Sequence, residues 1–141
     1  MRASIKTFVV AVGGFALALC AAVAVAHHSA AQFDFGQRVT IEGTVKEFNV
    51  TNPHTWAVVE ITDAKRGTRD AQYEGHSASH FYRAGYTRDM VKVGDKIAIL
   101  IAPRRDGEDG GFIQAFTVNG KTVGFGGLSP ETGQRTSAAS Q

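Results

Sequence analysis

The sequence predicts an all-β fold with one short helix, a small five-stranded barrel in the order β-β-β-α-β-β. Three observations carry this. Residues 38–63 read RVTIEGTVKEFNV, TNPH and TWAVVEITD, two alternating stretches around a proline break. A third strand, 69–74, expected because the polar turn before it returns the chain, precedes a serine-led, glycine-ended segment of short-helix length, 77–85. Two apolar stretches follow at 96–102 and 111–118, and Asn119-Gly120 then marks a hairpin.

The elements follow in chain order. Arg2 and Lys6 precede an uncharged apolar run, 8–23, that ends in Ala24-Val25-Ala26, the small-x-small pattern of a signal-peptidase site. Residues 1–26 are therefore expected to be a secretory signal peptide. The run is marginal against the ~20 residues a spanning helix needs, so no stable membrane span is expected after cleavage. Residues 27–37 lack a period and read as an extended lead-in pinned by Phe33 and Phe35. The barrel is expected over 38–123. In its first strand Val39, Ile41 and Val45 alternate with Thr40, Glu42, Thr44 and Lys46, with Gly43 on the inner face where a bend or bulge is tolerated. Pro53 breaks the strand because it has no N–H to donate. The second strand, 55–62, puts Ala57, Val59 and Ile61 on one face and Trp56, Val58 and Glu60 on the other. The polar turn 63–67 returns the chain as strand three, 69–74. A helical turn is expected over 87–93, and the turn Gly94-Asp95 leads into strand four. Residues 103–110 form a charged loop, and 121–123 pair briefly after strand five. From Gly124 to Gln141 the glycine, serine and threonine content reads as a disordered tail. Three strands, a helix and two strands is the order of an OB-fold; the alternative is another small sandwich or half-open barrel.

Charge and cysteine narrow the function. Removing Arg2 and Lys6 from the 15 basic residues leaves 13, against 13 acidic ones, so the expected mature domain is formally neutral. A neutral chain lacks the clustered cationic excess that phosphate binding needs, and no nucleic-acid partner is expected. The only cysteine, Cys20, lies in the apolar run behind the bulky Leu19, which disfavours lipidation. The exported domain then has no thiol nucleophile and no disulfide.

The chain also resembles a family. Ala26-His27-His28-Ser29, Phe33, the strand 43–48 (GTVKEF), Asn52-Pro53-His54, Gly85-Tyr86, Val93-Gly94-Asp95 and Arg105-Asp106-Gly107 are similar to a family of small exported bacterial proteins of unknown function. The resemblance spans about residues 20 to 120, with Val50 and Tyr86 standing where many relatives carry tryptophan. It implies export to the periplasm, or secretion, and no particular activity.

Chemistry is read from the side chains. All five histidines, His27, His28, His54, His76 and His80, lie between residues 27 and 80. A turn centred near Lys65-Arg66 pairs residues summing to about 131, which brings His54 opposite His76. His76 and His80, four apart, share a face if the helix starts early. A freed His27 offers its amine and imidazole together, and a second imidazole would complete a nitrogen set suited to Cu(II), or less selectively Ni(II) or Zn(II). The alternative for each histidine is a solvated or capping role. The other binding surface expected is non-metal: Phe48, Trp56 and Tyr73, with Val58, on the outer faces of strands one to three, for a glycan, peptide or protein. No acid partner stands in predictable reach of Ser29 and His28, and Glu74 with His76 is a generic pair, so no enzyme is expected. The sequence thus predicts a small exported binding protein, a monomer or weak oligomer, whose partner is a metal ion or small ligand.

Overall fold

In the computed structural model residues 30–135 are described. The chain divides into one unit of residues 1–32 and another of 33–141, and the second carries the strands of the barrel. The expected signal peptide, His27, His28 and residues 136–141 lie outside the described residues.

Seven strands form one sheet: β1 Val39–Asn49, β2 Thr55–Asp63, β3 Gly67–Gly75, β4 Lys96–Pro103, β5 Gly111–Val118, β6 Lys121–Gly124 and β7 Gln134–Arg135, with the helix α1, Ala78–Arg83, between β3 and β4. The ladder β1-β2-β3-β5-β4-β1 closes on itself, all pairs antiparallel except β3 with β5. This is the five-stranded barrel in the expected order, with β6 added outside β5. Closure works because β1 is long enough to serve two neighbours. Its first half, Val39 to Thr44, pairs β4, and its second half, Thr44 to Asn49, pairs β2.

The alternating positions fill the barrel. Val45, Val59, Ile99, Ile113 and Phe116 are wholly buried and belong to one cluster. At ~25 cal/mol per Å2 of apolar surface, such inward rows are the main source of stability. Phe81 of α1 seals one end, with ring centroids 5.1 Å from Phe125, 6.0 Å from Tyr86 and 6.1 Å from Phe116. The segment 87–93 forms a turn, Met90 N–H donating to the Thr87 carbonyl, rather than a helix.

Further sequence expectations are corrected. The bulge in β1 falls at Lys46, since Val45 pairs Val59 and Glu47 pairs Val58. That extra residue reverses the phase of everything after it, so Phe48 points inward opposite Ala57 and packs on Phe116 at 5.3 Å and Phe81 at 6.2 Å. Tyr73 is also internal, 1% exposed, because its cross-strand partner is the inward Ala57 and not Trp56. Finally, the tail expected to be disordered from Gly124 is ordered through Arg135. A 3-10 turn, Pro130–Thr132, leads into β7, which pairs Val39 and Thr40 in parallel. The segment buries Thr40, whose hydroxyl donates to the Pro130 carbonyl at 2.6 Å, and crowds Leu100 so closely that Gly133 has no room for a Cβ. Thr40, expected to face solvent, is 4% exposed for this reason.

Candidate functional site

The β2–β3 hairpin has two ends, and the three described histidines, His54, His76 and His80, gather at the one away from its turn. Thr55 pairs Gly75, so the residues just beyond, His54 and His76, stand at the same end of the hairpin, and Thr55 N–H donates to the His76 carbonyl at 3.0 Å. The sequence placed these two correctly because antiparallel register needs only the turn position. His54 ends the Asn52–Pro53 loop, in which the Asn52–Pro53 peptide is cis.

Glu74 is the residue that sequence reasoning undervalued. It faces outward opposite Trp56 and beside Phe112 of β5, yet it is only 4% exposed. Its carboxylate accepts a hydrogen bond from His54 Nδ1. Burial raises the Glu74 carboxyl above its ordinary range, and the neighbouring His54 opposes that rise by charge and hydrogen bond. The available signal was an acidic residue in line with Trp56, two positions from His76.

His76 and His80 form the adjoining pair. Their rings stack with centroids 5.2 Å apart, and His76 is walled by Phe125 at 4.5 Å and by the edge of Phe112 at 4.9 Å. Burial first, then the charges of His80 and His54, lowers the His76 imidazole below its usual range, so it is neutral near pH 7. His80 is exposed, and its Nδ1 lies 2.9 Å from Ser77 Oγ, which also meets Ser79 Oγ at 3.0 Å. Phe112 continues into a small aromatic ladder with Phe33 at 5.6 Å and Phe35 at 5.5 Å; Phe33 is held by pairing with Arg104. Close by, Gln114, the bulged residue between Ile113 and Ala115, takes the Phe125 N–H on its backbone carbonyl while its buried Oε1 has no hydrogen-bond partner.

The expected residues thus separate. His54, His76 and His80 share one end of the barrel, with Glu74 bonded to the first. Trp56, 39% exposed, stands next to Glu74 on the outer face, while Phe48 and Tyr73 are core and form no outer platform with it. Among the described residues no three His, Cys, Asp or Glu side chains stand close enough to hold a metal ion. What the geometry supplies is two imidazoles, His54 and His80, each anchored through Nδ1 and each left with Nε2 for a ligand. A carboxylate behind the first is the arrangement that fixes the ring and its tautomer.

Among the described residues no helix is long and apolar enough to cross a membrane. No curated protein and no solved structure matches the chain. A family model matches residues 16–114, well over half of the 141 residues. The chain, a five-stranded barrel with His54, His76 and His80 at one end, belongs to the family of unknown function DUF6152.

Proposed function

We propose that the protein is an exported, non-enzymatic binding protein of the bacterial periplasm that takes up a divalent transition-metal ion, Cu(II) foremost, at the histidine end of the barrel. The observation that carries this reading is the pair of Nδ1-anchored imidazoles, His54 on Glu74 and His80 on Ser77. Imidazole nitrogen suits copper, and a ligand must be deprotonated to bind, which the lowered His76 also favours. His27 and His28 enter from the sequence alone, as an amine–imidazole chelate once the leader is removed. Export rests on the leader pattern of residues 1–26.

Cu(II) titration of the purified exported protein tests this, followed by calorimetry and visible absorbance. One-to-one binding is expected. The double variant His54→Ala, His80→Ala should lose it, and Glu74→Gln should weaken it by about 10–100-fold, as removal of a carboxylate behind a metal-bound imidazole does. A form with one alanine inserted before His27 separates the amine chelate from the barrel histidines. Unchanged affinity in the double variant rules out the barrel site.

The exposure of Trp56 next to the buried Glu74 favours a second reading, a non-metal ligand or protein partner on that face. Trp56→Ala would abolish such binding and leave the copper titration unchanged.

A further inference from the structure

The opposite end of the barrel holds an opening. Pairing of β1 with β2 stops at Thr44 and Glu60, whereas β2 and β3 stay paired as far as Asp63 and Gly67. Below Glu60 the two strands therefore diverge, and Ile61 to Asp63 have a neighbour on one side only. The gap is lined by Val39, Ile41, Ile61 and Ile101, all contributing to the apolar core or packed on it. Side chains that fill a small barrel normally close its ends; here Val39 and Ile41 stay only partly buried, so apolar surface remains at the mouth above the buried Ile61 and Ile101.

At the floor of the gap lies Tyr73. The residue is 1% exposed, lines the gap, and its hydroxyl makes no hydrogen bond among the described residues. A phenol that lines an apolar gap without a protein partner has its O–H available to whatever enters. Burial, with Asp109 adding and Arg69 opposing, holds the phenol above its usual range, so the O–H keeps its proton as a donor. The nearest charges offer nothing to an ion. Arg69 binds both Asp109, through Nε at 2.5 Å and Nη2 at 2.9 Å, and Asp63, at 2.6 Å, while Arg66 joins Asp109 at 2.7 Å. The rim is self-neutralised around an apolar shaft with one unused hydroxyl.

We infer that this mouth is a binding site for a small uncharged apolar molecule with a single hydrogen-bonding head group, its body against Ile41, Ile61 and Ile101 and its head on the Tyr73 hydroxyl. The site is separate from the histidine end and independent of any metal there.

The test uses 2-naphthol and naphthalene as probes of the purified protein, each followed by its own fluorescence. Wild type should bind 2-naphthol one-to-one and prefer it to naphthalene by about fivefold, the value of one added neutral hydrogen bond. Tyr73→Phe removes only the oxygen; it should erase the preference and leave naphthalene binding as in wild type. Ile41→Trp should block both probes, with circular dichroism confirming that it folds. His54→Ala should bind 2-naphthol as wild type does, which separates this site from the copper reading. Absence of saturable binding in wild type, a preference that survives in Tyr73→Phe, or binding indifferent to Ile41→Trp would each overturn the inference.

Discussion

The point at which β1 and β2 begin to part is set by Gly43, and the structure makes a quantitative prediction there. A Cβ at this position would run into the Glu60 backbone oxygen, far inside contact distance, and would meet Val59 Cγ1 at 2.5 Å. Neither neighbour can yield cheaply. Val59 is fully buried, and Glu60 is fixed by pairing to Thr44 on one side and Asp70 on the other. Relief requires the strands to separate by about 1 Å, since ordinary contact between such atoms begins near ~3.5 Å. Overpacking of this kind costs about 1–3 kcal/mol. In a domain of roughly 100 residues, 1 kcal/mol moves Tm by about 4–8 °C, so Gly43→Ala should melt about 8–16 °C below wild type at the middle of that range. Gly67→Ala is the control. Gly67 has φ of +68° and nothing within 4 Å of the added carbon, so the change there costs backbone strain alone, about 1 kcal/mol. Thermal melts by circular dichroism decide the matter. A Gly43→Ala protein melting within about 2 °C of wild type, or no lower than Gly67→Ala, would show that the reasoning from close approach is wrong.

Other outcomes are expected. Phe81→Ala empties the aromatic end of the core, where the ring is fully buried among Phe48, Tyr86, Phe116 and Phe125; it should cost about 3–5 kcal/mol in urea unfolding. Hydrogen bonds from Arg69, chief of them, hold Asp109 below the usual carboxylate range, and those of the Arg66 and Lys65 backbone and of Arg69 do so for Asp63. A depressed folded value means stability that is present above the ordinary carboxylate pKa and is lost as pH falls through the folded one. Arg69→Ala should therefore lower the urea midpoint at pH 7, with the difference from wild type shrinking in acid and in 1 M salt, about 3 Å of Debye length.

The architecture was legible because two alternating strands, one helix signal and the turn positions all agreed, and register at the histidine end followed from the β2–β3 turn alone. What escaped was phase. Nothing local marks Lys46 as the extra residue, yet its insertion turns Phe48 from an outer to an inner side chain. Strand three reads polar at nearly every position, so only the partner Ala57 shows that Tyr73 lies inside. Glu74 escaped for the opposite reason: it sits on the outward face and is buried by what lies over that face, not by the barrel. The segment after Gly124 was judged by its small polar residues, whereas Phe125 and Pro130 are the ones that dock.

The double duty of β1 also orders events in time. Its first half has no partner until residues 96–101 exist, and Val39 is joined by Gln134 only when the chain is nearly complete. A ribosome delivering residues one after another can release the β1–β2–β3 meander early, but the ring cannot close behind it. Through that interval the first half of β1 is an unsatisfied edge, open to whatever holds newly made chains.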